Sequence, residues 1–134
     1  EITTDNVHLD EQYMIGGMKT EAGTDRVIPI ADKILPLVKN RYDANRRFLV
    51  NNKYGNHYTY GSYVSANFNT VMNKLNMKHL PHDGRHTFAS LMDDAGANEV
   101  CIKLIMGHSM KNNVTKGVYT HKTTQQLIDE VNKI

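Results

Sequence analysis

A change of hydrophobic period near residue 31 constrains the fold of this chain more than any other feature. Before it, apolar residues come in short runs: Val7-His8-Leu9, Tyr13-Met14-Ile15 and Arg26-Val27-Ile28-Pro29-Ile30. The polar stretch Lys19-Thr20-Glu21-Ala22-Gly23-Thr24-Asp25 separates the last two, which predicts a hairpin between paired strands. After residue 31, apolar positions recur mostly at helical spacing. Ala31 to Tyr42 carries Ile34, Leu35, Leu37 and Val38, with Pro36 placed to limit or bend a helix. Phe48-Leu49-Val50 is a short apolar run ahead of an Asn- and Gly-rich loop. Thr59 to Asn76 lines up Tyr63, Val64, Phe68, Val71, Met72 and Leu75 on one stripe and predicts a long helix. His82 to Ala95 predicts another, with Phe88, Ala89, Leu91, Met92 and Ala95 inward and Gly96 as its stop. Asn98 is a good cap for a helix ending at Met106, with Gly107 closing it. Thr123 and Gln126 form a capping-box pattern that opens a last helix bearing Leu127, Ile128, Val131 and Ile134. The expected fold class is α+β: a small antiparallel sheet at the N-terminal end, followed by a mostly helical domain.

Composition excludes several classes and selects none. A chain of 134 residues is long enough for one domain with a core that needs no disulfide. No apolar run approaches a membrane span, and no stretch reads as a signal peptide. The single cysteine, Cys101, cannot pair internally, which suits a reducing cytoplasm. A formal net charge of +2 does not by itself point to nucleic acid. Basic residues do cluster, at Arg41, Arg46 and Arg47 and again at Lys111 and Lys116.

The chemistry concentrates between residues 80 and 121. This region reads Leu80-Pro81-His82-Asp83-Gly84-Arg85-His86-Thr87-Phe88-Ala89, then Ile105-Met106-Gly107-His108-Ser109, then Val118-Tyr119-Thr120-His121. A His-x-x-Arg at a helix start, a Gly-His-Ser after the next helix and a tyrosine soon after resemble the signature of the tyrosine recombinases, or phage integrases. The hairpin with Lys19-Thr20 ahead of Arg26-Val27-Ile28-Pro29-Ile30 resembles that family's catalytic-lysine hairpin. The likeness covers nearly the whole chain. It implies a catalytic domain over residues 1–134 that breaks and rejoins DNA at specific sites, in a bacterial, cytoplasmic setting such as a phage or mobile element.

The resemblance also implies roles. Tyr119 would attack phosphorus, form a 3′-phosphotyrosine and expel a 5′-hydroxyl. The covalent bond stores the energy for rejoining, so neither metal nor nucleotide cofactor is needed. Arg85 suits the non-bridging oxygens, because a guanidinium grips two at once. His108 would add a hydrogen bond, His82 would handle the proton of Tyr119, and Lys19 would protonate the leaving oxygen. The family's pattern places another arginine ahead of a glutamate, in a run like Gly-Leu-Arg-x-x-Glu. If Glu1 is that glutamate, the arginine precedes residue 1, a helical DNA-clamping domain precedes it in turn, and the chain alone is a weak catalyst. Tyr119 follows His108 at a slightly longer spacing than the family's, with Met110 to Lys116 taking up the difference.

Each residue also has a plainer reading. Tyr119 could be packing, Arg85 could pair with Asp83, His82 could merely start a helix, His108 could cap one, and Lys33 or Lys53 rivals Lys19. His82, Asp83 and His86 faintly resemble a zinc-protease helix, against which the short Asp83 and the helix-weakening Gly84 both count. Type IB topoisomerase activity and a non-catalytic DNA-binding role are two rival functions. Double-stranded DNA is the expected partner, bound through phosphates, with Arg47, Tyr60, Asn67 and Lys111 as candidate contacts. The expected assembly is a tetramer on DNA, and a monomer for the fragment alone. The last helix packs either on its own domain or on a neighbouring subunit.

Overall fold

A computed structural model describes residues 2–17, 23–109 and 122–134 of the chain. Strands β1 (Val7–His8), β2 (Tyr13–Gly16) and β3 (Arg26–Pro29) form an antiparallel sheet in the order β1-β2-β3. β2 and β3 pair, as the apolar runs predicted, and their register sets Met14 opposite Ile28 and Ile15 opposite Val27. His8 and Tyr13 stack across β1 and β2 with ring centroids 4.4 Å apart. The Phe48-Leu49-Val50 run pairs with the N-terminal segment: Thr3 bridges Phe48, and Leu49 N–H donates to the Ile2 carbonyl at 3.0 Å.

Helix α1 is Leu35–Arg41, so it starts later than the sequence pattern predicted. Pro36 therefore lies in the first turn, where its missing N–H costs nothing, and the helix is limited to begin there. Thr59 caps the long helix, which runs as α2 (Tyr60–Tyr63), a π-helical segment (Val64–Phe68) and α3 (Asn69–Lys74). Its apolar stripe is not a core face. Val71 and Leu75 are 49% and 59% exposed, and Phe68 and Met72 line a cleft with Leu80, Pro81, Gly84 and Thr87 at the start of the next helix.

Helix α4 (Asp83–Asp94), helix α5 (Glu99–Met106) and helix α6 (Thr124–Val131) follow. In α4, Met92 is fully buried and Phe88 packs beside it, whereas Leu91 is 48% exposed and Ala95 is also on the surface. The inward face of α4 is thus narrower than its spacing suggested, because only one side of the helix meets the core. That core joins Ala31, Met92, Cys101, Ile105, Leu127 and Val131, with Val27 of β3 against it. Burial raises the pKa of the Cys101 thiol, as expected of a packing residue. The capping box of α6 is present, and Leu127, Ile128 and Val131 are buried on β3 and α5. The last helix therefore packs on its own chain. Glu130 Oε2 accepts the Asn98 N–H at 2.7 Å, and Asn132 Oδ1 accepts the Asp32 N–H at 2.8 Å.

Candidate active site

The site is built around the end of α5. The last four carbonyls of any α-helix lack partners inside it. Here the turn through Gly107 satisfies two of them: Gly107 N–H donates to Leu104 O at 3.0 Å and His108 N–H to Lys103 O at 2.9 Å. This Schellman-type ending requires a left-handed residue, and Gly107 has φ +67°. The other two carbonyls are met by arginines. Arg26 Nε donates to Ile105 O at 2.8 Å, and Arg85 Nη2 donates to Met106 O at 2.6 Å. Cations at a helix C-terminus also face the negative end of its dipole.

Arg85 reaches this point from the first turn of α4. His82 stands just before that helix, with its carbonyl accepting the Arg85 N–H at 3.0 Å. Three positions apart, His82 and Arg85 lie on neighbouring parts of one helix face. The His82 and His86 rings meet edge-on, 5.0 Å between centroids. Asp83 does not pair with Arg85. Its carboxylate accepts the Leu80 N–H at 3.0 Å and lies 3.3 Å from His79 Nδ1. The Leu80 bond, chiefly, and the His79 contact hold its pKa below the ordinary carboxylate value. Among the described residues, neither Arg85 nor Arg26 faces a carboxylate, and no three His, Cys, Asp or Glu side chains gather as a metal site.

His108 is exposed just beyond Gly107. With Met106, Ala89 and Ser90 it lines a cleft of about 380 Å³ between α4 and α5. Arg85 and His108 are thus both tied to the end of α5, Arg85 through Met106 O and His108 through its own N–H to Lys103 O. Both side chains are nitrogen donors at one helix end: an arginine for which one N–H of the fork is placed on a carbonyl among the described residues, and an imidazole. Arg26 escaped the sequence reading as a site residue, since its partners are backbone carbonyls that no side-chain motif encodes. Its place in the Arg-Val-Ile-Pro-Ile run was the only available signal.

Tyr119, Lys19 and Lys111 lie outside the described residues. Of the other candidate DNA contacts, Arg47 is exposed with its guanidinium carbon 5.3 Å from the Phe48 ring centroid, and Tyr60 is 72% exposed. Asn67 sits in the π-helical segment, and its amide nitrogen is shielded from solvent without a partner among the described residues. No described helix is long and apolar enough to cross a membrane.

Comparison with known proteins adds ancestry to this geometry. Residues 1–126 match the phage integrase family. The chain is 27% identical to a tyrosine recombinase of Thermosipho africanus, over 82% of this chain and 39% of that protein. It is 29% identical to the tyrosine recombinase XerC of Staphylococcus saprophyticus, over 90% of this chain and 45% of that protein. It is 27% identical to the transposase from transposon Tn916 of Enterococcus faecalis, over 91% of this chain and 34% of that protein. The chain spans less than half the length of each of these relatives. No solved structure matches it.

Proposed function

The chain belongs to the phage integrase family, and from that premise we propose that it is the strand-breaking and rejoining domain of a site-specific DNA recombinase. Tyr119 attacks a DNA phosphorus, a 3′-phosphotyrosine forms, and the 5′-hydroxyl leaves. Arg85 and His108 donate to the non-bridging oxygens as charge builds there. His82 takes the proton of Tyr119, and Lys19 delivers one to the departing oxygen. Rejoining reverses these steps with a new 5′-hydroxyl. The substrate is double-stranded DNA held by its phosphates, with Arg47, Tyr60, Asn67 and Lys111 among the contacts. Four copies assemble on the recombining DNA, in the cytoplasm of a bacterium.

The observation that supports this reading is that Arg85 and His108 are both tied to the end of α5, Arg85 at Met106 O and His108 at Lys103 O. The supporting contrast is Asp83, which is engaged by His79 and Leu80 and does not neutralise Arg85.

The test is covalent trapping. The full-length polypeptide that carries this chain is incubated with a pool of nicked duplexes, denatured, and assayed for protein left on DNA. The expected adduct maps to Tyr119 and is absent from Tyr119→Phe. An active protein whose adduct maps elsewhere, or a wild type that yields none, would overturn the reading. Relaxation of supercoiled plasmid without site preference would move the function to a type IB topoisomerase.

A further inference from the structure

The geometry points to Arg26 as a positioning residue of this site: it clamps β3 onto the last turn of α5, fixing the carbonyl that anchors Arg85 and the backbone that presents His108. The inference rests on the functional reading above and names a part for a residue that does not itself touch the reacting atoms.

The α5 cap supports it first. Two of the helix's terminal carbonyls are closed by the Gly107 turn, and the remaining pair, adjacent in sequence, is divided between Arg26 and Arg85. Arg26 comes from the sheet and Arg85 from α4, so a single helix end ties both elements together. Without Arg26, Ile105 O would lose its donor, and the only side-chain hydrogen bond described at the two remaining carbonyls would be that of Arg85 from α4.

The second support is the close packing around Arg26. A further N–H of the same guanidinium, on Nη1, donates to Gly23 O at 2.9 Å. A Cβ at Gly17 would lie 1.7 Å from Gly23 O and 2.2 Å from Arg26 Nη1. A Cβ at Gly107 would lie 2.8 Å from Gly23 Cα and 3.1 Å from Arg26 Cδ. Glycine at both positions lets the backbone close around the Arg26 side chain, which leaves little room for the α5 end to shift. Burial first, and then the charge of Arg85, lower the pKa of Arg26 from its ordinary value. Two like charges are therefore held near one another by carbonyl groups, in a place where an approaching phosphate relieves their repulsion.

Lysine and arginine separate positioning from charge. A lysine at residue 26 keeps the cation but has no donor at the Nε position and no planar fork to reach two carbonyls at once. The test compares Arg26→Lys and Arg26→Met with wild type in the full-length polypeptide. It reads DNA affinity, the rate of covalent adduct formation, and the arginine Nε–H NMR signal of Arg85. Both variants are expected to keep near-wild-type DNA affinity, to form the adduct about a hundredfold more slowly, and to displace the Arg85 signal. A wild-type adduct rate in Arg26→Lys overturns the proposal, because charge alone would then suffice. A rate loss that only follows the folded fraction, measured by circular dichroism on the same samples, overturns it too. So does an Arg85 signal unmoved in both variants. If wild type forms no adduct, the functional reading fails by itself, and a displaced Arg85 signal in Arg26→Lys still supports the clamp.

Discussion

In the proposed reaction, Arg85 divides its N–H groups between structure and chemistry. One completes the α5 cap at Met106 O, and the rest of the fork remains for an anion. Arg85→Ala is expected to cost about 1–3 kcal/mol in stability, because the carbonyl loses its donor, and to abolish adduct formation. Arg85→Lys keeps a charge without the fork, so the adduct rate is expected to fall by about a hundredfold or more while the chain stays folded. Urea unfolding and covalent trapping measure the two effects separately. Glu130 provides a pH test at the same scale. Its hydrogen bond from Lys133, the larger effect, and that from Asn98 hold its pKa below the ordinary 4.5. A carboxyl whose folded pKa is depressed stabilises the fold above its unfolded value, and that contribution is lost as pH falls through the folded value. Glu130→Gln is therefore expected to lose about 1 kcal/mol near neutrality, with the difference from wild type vanishing in acid. Denaturant titrations at the two pH values decide it. Side-chain motifs made Arg85 and His108 legible as candidates, and both are tied to the end of α5, at Met106 O and Lys103 O. Arg26 was not, because its contacts at Ile105 and Gly23 depend on how the sheet meets α5.

Helix ends were the most legible elements, since caps are local chemistry. The Asn98 side chain accepts from both Val100 N and Cys101 N, and the Thr123–Gln126 capping box forms in full. Asn98→Ala is expected to cost about 1 kcal/mol, read as a lower unfolding midpoint. Gly107→Ala meets two penalties, a left-handed backbone and a Cβ 2.8 Å from Gly23 Cα. It is expected to cost roughly 1–2 kcal/mol from the backbone alone, and more once the contact is included. Helix faces were less legible. Periodicity shows that a stripe exists, but whether a stripe is covered depends on what the rest of the chain places against it. The Thr59–Asn76 stripe is split, Tyr63 lining a cleft with Phe48 and Leu49 and Phe68 and Met72 lining one at the start of α4, while α4 itself buried Met92 and left Leu91 outside. Pro36 marks a limit of the helix rather than a bend: α1 starts at Leu35, with Pro36 in its first turn.

For the whole molecule, sheet and helices converge on one place. β3 lies against α5 and α6, α6 closes the core from its own chain, and the α5 end gathers Arg26, Arg85 and His108. The α+β class was legible because the period changes once, from short apolar runs to helical spacing. How the parts meet was not, since side chains distant in sequence close that junction. DNA binding by the full-length polypeptide is expected to weaken steeply with salt, as phosphate contacts release counterions. Fluorescence anisotropy across a salt series reads the slope, and a flat slope would contradict phosphate-based binding. The central claim, that Arg85 and His108 share one phosphate attacked by Tyr119, is tested most directly by a crystal structure with DNA and orthovanadate. The account predicts vanadium bonded to the Tyr119 oxygen, with Arg85 and His108 donating to its equatorial oxygens. Vanadate held elsewhere, or bound with Arg85 and His108 turned to different surfaces, would contradict it.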